Sequence, residues 1–175
     1  TFLGLKELPY APDWHQVDNE SDLVHSVKQS ALDLGVFPEA PTDPLLDATL
    51  IGHASVTLFV ESFRASGSPT GGSLASCANS VFCLPCERRF PALNRILRGE
   101  IERLVPDAAF VNHYADSKEL IFNVKCGASC LSLQGEQPRL DPKIACHSVS
   151  DVAPVPLFLA WRRSAELGQR IGASA

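Results

Sequence analysis

The sequence has no methionine among its 175 residues and begins at Thr1, so it reads as a fragment or a processed form. It also lacks any basic run. Fifteen Lys and Arg stand against twenty Asp and Glu, for a formal net charge of -5, and only Arg88-Arg89 and Arg162-Arg163 are adjacent. Neutralising a phosphate backbone takes a patch or stripe of cations, so any nucleic-acid binding by the whole protein belongs to another segment. No signal-peptide pattern occurs, and no apolar run is long enough to cross a bilayer. A cytoplasmic location with no membrane partner is expected. The five histidines, His15, His25, His53, His113 and His147, show no H-x-x-H or H-E-x-x-H spacing, and no G-x-S-x-G, Walker or G-x-G-x-x-G pattern is present. Neither enzymatic activity nor a metal or other cofactor is expected.

What is present is an ordinary globular composition, 45% hydrophobic, sufficient for one domain or two small lobes. Asn19 reads as the N-cap of a helix running from Glu20 to about Ala31, with Asp22 at the third position, where a carboxylate suits the helix dipole. Leu32 to Phe37 follows as a short buried strand, closed by an extended loop containing Pro38, Pro41 and Pro44. Ser55 to Val60 is a second apolar strand, and the Ser- and Gly-rich stretch from Arg64 to Gly72 is a surface loop.

The most regular stretch is Ser80 to Leu133. A strand over Ser80–Leu84 leads through the loop Pro85–Phe90 into a helix that begins at Pro91, the favoured first position. The apolar face of that helix is Leu93, Ile96, Leu97, Ile101 and Leu104. Ala108–Tyr114 is a strand. Asp116 caps the next helix, with Glu119 completing an Asp form of the capping box and Gly127 ending it. Ser129–Leu133 is a strand. Beyond a polar loop at Gln134–Lys143, Pro156–Trp161 is a last strand and Ser164–Ile171 begins a C-terminal helix. Strands that alternate with helices predict an α/β fold with mostly parallel sheets.

Two features carry candidate chemistry. Arg88 and Arg89, with Phe90, stand at the start of the Pro91 helix. The backbone N–H groups and the dipole of a helix N-terminus favour negative charge, and a guanidinium can pair with a carboxylate, so an anionic ligand fits there. The alternative is two solvated surface arginines. The other feature is the six cysteines. They fit three disulfides in a secreted protein or reduced thiols in a cytosolic one, and a chain with a real core and no signal favours the second. Cys83 and Cys86 form a C-x-x-C, open to three readings: half a zinc site, a redox pair, or chance. Zinc needs four ligands, and nothing in the spacing recruits Cys77 and His147. Cys86 lies beside a helix start and two arginines, the kind of setting in which reactive cysteines occur. Buried, inert cysteines are the plain alternative.

Four short segments, in order, carry a family resemblance: Leu32-Asp33-Leu34-Gly35-Val36-Phe37, Phe90-Pro91-Ala92-Leu93-Asn94-Arg95-Ile96-Leu97, Lys125-Cys126-Gly127-Ala128-Ser129, and Pro156-Leu157-Phe158-Leu159-Ala160-Trp161-Arg162-Arg163. Together they resemble the effector-binding domain of LysR-type transcriptional regulators over roughly Trp14 to Gly168. The opening strand and long helix of that family are shortened or missing here, the winged helix-turn-helix is absent, and the cysteine-rich strand and loop at Cys77–Cys86 depart from the common pattern.

The resemblance implies a type 2 periplasmic-binding-protein-like architecture. One lobe would hold residues 1–60 and 145–175 and the other 61–144, with a small organic effector, anionic or aromatic, in the cleft between them. It implies effector contacts at Asn19, Glu20 and Ser21 and at Phe37 and Pro38, to which the helix start adds Arg88, Arg89 and Phe90, and Gly127 and Ala128 let a backbone approach the ligand closely. Each has a plainer role: helix capping for Asn19 and Gly127, core packing for Phe37. It further implies a homodimer or tetramer built on the helices after Asn19 and Pro91, contact with RNA polymerase, and DNA binding through a domain outside this chain. A free solute-binding protein of the same architecture and a cysteine-based redox regulator using Cys83 or Cys86 are the competing readings.

Overall fold

In a computed structural model of the chain, residues 13, 17–62, 72–77, 80–133 and 142–164 are described. They fall into two units: 1–53 with 156–175, and 54–155. The boundaries differ from the expected 60/61 and 144/145. The reason is strand pairing: the strands at Val56–Glu61 and Ile144–Ser148 hydrogen-bond to each other and to the second unit's sheet, so they belong with it. The expected C-terminal helix at Ser164–Ile171, the opening segment to Pro12 and most of the Arg64–Gly72 and Gln134–Lys143 loops lie outside the described residues.

The first unit has a helix α1 (Glu20–Lys28) and three strands, β1 (Leu34–Phe37), β2 (Leu46–Ala54) and β8 (Val155–Arg162), in the order β1-β8-β2. Asn19 caps α1 as expected. Its Oδ1 accepts from the Asp22 N–H at 2.7 Å, and its Nδ2 donates to the Asp22 carboxylate at 2.6 Å. The helix stops at Lys28, short of Ala31, because Ser30 turns into the left-handed region at φ 58°. Gly35 is buried in β1, and a Cβ there would lie 2.7 Å from the Phe37 ring and 3.0 Å from Val27. Glycine is what lets α1 lie close against β1. β1 and β8 are antiparallel, Leu34 facing Trp161 and Phe37 facing Phe158. β2 was not foreseen in the sequence. Its first residue, Leu46, is buried and the rest are half-buried or exposed, and its start is tied down by Arg163, whose N–H donates to the Leu45 carbonyl and whose Nε donates to Asp47, both at 2.9 Å.

The second unit is a five-stranded sheet in the order β5-β4-β6-β3-β7. Its members are β3 (Val56–Glu61), β4 (Val81–Pro85), β5 (Ala109–Tyr114), β6 (Ser129–Leu133) and β7 (Ile144–Ser148), with helices α2 (Pro91–Leu104) and α3 (Ser117–Lys125). β4 runs parallel to β5 and β6, whereas β3 is antiparallel to both β6 and β7. The mostly parallel sheet expected from the sequence is therefore a mixed one. The parallel part is confined to the strands joined by helical crossovers, since a parallel connection needs such a crossover. β3 follows β2 across Ser55 alone, with no helix between them.

Two cores sandwich the sheet. On the α2 face, Leu97 and Ile101 pack with Val56, Leu58, Phe82, Leu84 and Leu131. On the α3 face, Leu120 and Val124 pack with Phe59, Cys83, Tyr114, Cys130 and Ile144. The alternation of β4 is thus split between two interiors, and Phe82, Cys83 and Leu84 are each no more than 1% exposed. The pairing of β4 with β5 slips between Phe82/Phe110 and Leu84/His113. This extra residue reverses the facing of β5, so Phe110 joins the α2-face core and Tyr114 the α3-face core. There the Tyr114 hydroxyl donates to the Leu131 carbonyl, and burial pushes its pKa well above the ordinary tyrosine value.

The α3 ends match the sequence closely. Asp116 Oδ1 accepts from the N–H groups of Lys118 and Glu119 at 2.8 and 2.9 Å. Glu119 reaches back to the Ala115 N–H at 2.7 Å, one residue before the cap. At the other end Ala128 N–H donates to the Asn123 carbonyl and Gly127 N–H to the Val124 carbonyl, with Gly127 at φ 91°, the paired bonds of a Schellman motif. Gly127→Ala should destabilise the chain by about 1–2 kcal/mol in urea titration. An unchanged midpoint would show that the cap carries no strain.

Candidate functional site

The carboxyl edge of the parallel strands is where open α/β sheets take their ligands. In the second unit this edge is built by the ends of β4 and β5 and the starts of α2 and α3. Cys86 N–H donates to the Tyr114 carbonyl at 2.8 Å, which carries the β4–β5 pairing one residue past the strand. The turn Glu87–Arg89 then folds over, and the N–H groups of Arg89 and Phe90 both donate to the Cys86 carbonyl at 3.0 and 2.8 Å. Phe90 stands at the cap of α2 with no side-chain capping bond, and Pro91 opens the helix.

The residue that fixes this loop is one the sequence reading passed over. Asn94 is 2% exposed. Its Nδ2 donates to the Pro85 carbonyl at 2.7 Å, and its own N–H donates to the Phe90 carbonyl at 2.9 Å. One buried amide thus joins the last residue of β4 to the first turn of α2, and a lost bond at such a depth is expensive. The available signal was a polar residue set between Leu93 and Leu97 on the helix side that faces the core.

Arg88 and Arg89 project from this loop as exposed side chains. The first turn of α2 contains no acidic residue, whereas that of α3 contains Glu119 and is capped by Asp116. An anion therefore finds its more favourable helix start at α2. Asp116 is held below its ordinary pKa chiefly by the Glu119 N–H, with smaller help from Lys118 and from the charge of Arg89. Arg89 thus lies within electrostatic reach of the neighbouring helix cap.

The other candidate residues are placed as follows. Asn19, Glu20 and Ser21 open α1, and Phe37 and Pro38 close β1. Because α1 runs back along β1, these five share one end of the first unit. Gly127 and Ala128 precede β6, which is parallel to β4 with Cys130 beside Cys83. They therefore lie at the opposite edge of the second sheet from Arg88, Arg89 and Phe90, and the fold does not bring these two groups together. Cys83 and Cys86 are also separated. Three residues of nearly extended chain put their Cα atoms about 10 Å apart, beyond the span of a disulfide. Cys83 points into the α3-face core, and Cys86 is half-buried in the loop. Among the described residues, no three His, Cys, Asp or Glu side chains gather as a metal-holding group, and no helix is long and apolar enough to cross a membrane. A separate groove of about 510 Å³ is lined by His113, Lys118, Glu119, Phe122 and Asn123, none of them among the candidate binding residues of the sequence.

No protein-family model and no curated protein sequence matches the chain. Solved structures of LysR-family regulators do. Full-length CbnR in complex with its target DNA is similar over 90% of this chain and 57% of its own, with a TM-score of 0.73 at 15% identity. The BenM effector-binding domain with its effector benzoate is similar over 89% of this chain and 75% of its own, with a TM-score of 0.70 at 14% identity. HinK of Pseudomonas aeruginosa is similar over 87% of this chain and 54% of its own, with a TM-score of 0.70 at 12% identity. The chain thus has the fold of a LysR-type effector-binding domain, the type 2 periplasmic-binding-like architecture, and spans a little over half the length of full-length regulators such as CbnR.

Asn94→Ala removes the bond to Pro85. Hydrogen exchange should quicken at the amides of Cys86, Arg89 and Phe90, with a loss of about 1–3 kcal/mol of stability. Unchanged exchange at those amides would show that Asn94 does not hold the loop.

Proposed function

We propose that this chain, which shares the fold of LysR-type effector-binding domains, is the effector-sensing domain of such a regulator. The ligand is a small organic acid, aromatic or aliphatic, taken up by residues of both units. Asn19, Glu20, Ser21, Phe37 and Pro38 serve from the first unit and Arg88, Arg89 and Phe90 from the second, and Gly127 and Ala128 support the second sheet from its far edge. Binding favours one arrangement of the domain over another, and the shift passes through homodimer or tetramer contacts to DNA-reading segments other than these residues, and from there to RNA polymerase.

The observation that carries this reading is the loop at the end of β4. A buried amide and paired N–H bonds fix two arginines at a helix start that has no acidic residue of its own. BenM, at a similar fold, is solved with benzoate, which makes aromatic carboxylates the first ligands to try.

A thermal-shift and calorimetric screen of aromatic and aliphatic carboxylates should find at least one that stabilises the chain. Arg88→Ala or Arg89→Ala should weaken it at least tenfold, a loss of about 1.4 kcal/mol. If both variants bind the ligand as tightly as the parent, the anion site at the α2 start is wrong.

A further inference from the structure

The C-x-x-C spacing directs attention to Cys86, but the fold gives Cys83 a different neighbour. Cys83 on β4 and Cys130 on β6 are direct partners across a parallel pair. Both are 0% exposed, and both side chains enter the α3-face core. Neighbouring strands lie about 4.8 Å apart, and a disulfide spans Cα separations of about 4.4–6.8 Å with Cβ atoms about 3.5–4.5 Å apart. The two thiols therefore need only a small drawing-together of β4 and β6 to bond.

We propose that Cys83 and Cys130 form a dithiol–disulfide couple that reversibly cross-links strands β4 and β6 directly beneath the Pro85–Phe90 loop.

The local chemistry divides the roles. The Cys130 thiol has two acceptors in reach, the Leu120 carbonyl at 3.7 Å and the Cys83 sulfur. The hydrogen bond from Cys130 pulls the Cys83 pKa below the ordinary thiol value, and the same bond, with burial, pushes that of Cys130 up. With the Cys130 S–H directed to the Leu120 carbonyl, Cys83 takes the attacking role and Cys130 the resolving one. With a hydroperoxide as oxidant, the Cys83 thiolate takes the terminal oxygen and the O–O bond breaks. This leaves a sulfenic acid on Cys83 and releases water or an alcohol once the leaving oxygen is protonated. The Cys130 sulfur then attacks the Cys83 sulfur, its proton and the sulfenic hydroxyl leaving as water. In sum two thiols and one peroxide give one disulfide and two hydroxylic products, the peroxide gaining two electrons and the thiols losing them.

Two consequences follow from position. Both sulfurs are shielded, so oxidation requires local opening of the α3 layer and lags behind that of exposed Cys126. Because β4 ends in the loop that bears Arg88 and Arg89, the bridge acts on the same strand end that holds the arginines. This couple stands independently of the effector reading.

The test uses the 175-residue chain and a variant keeping only Cys83 and Cys130, with Ala at Cys77 and Cys146 and Ser at Cys86 and Cys126. Each is treated with hydrogen peroxide while folded, alkylated after unfolding, and digested without reduction. The expected result is a cross-linked peptide pair joining Cys83 to Cys130 and the loss of two alkylatable thiols, both reversed by dithiothreitol. Cys130→Ser should instead leave Cys83 as a trappable sulfenic acid. If the two-cysteine variant fails to fold, fragmentation of the cross-linked peptides from the parent assigns the bond. Full alkylation of both residues after oxidation of folded protein, or a bond from Cys83 to any other cysteine, overturns the proposal.

Discussion

The placement of β4 at the junction of two cores governs the second unit. A strand paired in parallel on both sides must be reached through helical crossovers, and those helices cover both faces of the sheet. Phe82 and Leu84 therefore anchor the α2 face while Cys83 anchors the α3 face, and these three residues are closed off from solvent in the folded chain. Any contact of β4 with a ligand is left to its carboxyl end. That end is held twice, by the continued pairing of Cys86 with Tyr114 and by the amide of Asn94 on Pro85.

The slip between β4 and β5 belongs to the same arrangement. Without it, Phe110 and Tyr114 would share a face, and the tyrosine would not reach the Leu131 carbonyl. With it, the last turn of β5 delivers Asp116 to cap α3 alongside the Arg89 loop. Two helix starts therefore lie together, one already occupied by its own carboxylates and one without them. That asymmetry, more than the presence of arginines alone, is the ground for the proposed anion site.

The stretch from β4 to β6 was legible in the sequence nearly residue by residue. Its strands are apolar runs, and its helices carry strong end signals in Pro91, Asp116 and Gly127. The unit boundaries and the sheet direction were less legible. β2 and β3 are separated by Ser55 alone, so one continuous stretch crosses between units without a turn signal. β7 reads Ile-Ala-Cys-His-Ser, a half-buried edge strand with no apolar run to announce it. Of the candidate site residues, the arginines were visible as a charged pair before a helix. Asn94 was hidden because its meaning depends on which carbonyl it meets. The pairing of Cys83 was misleading in the sequence for the same reason: its near neighbour along the chain is Cys86, but its neighbour across the sheet is Cys130.

The central claim, that the fixed loop after β4 is part of an effector site, is tested most directly by hydrogen exchange. The chain would be measured with and without the carboxylate that stabilises it most. The account predicts slowed exchange in peptides covering Cys86–Leu93 in the second unit and Asn19–Leu23 in the first. Protection confined to the Gly127–Ser129 edge, or to the groove around Phe122, would contradict it.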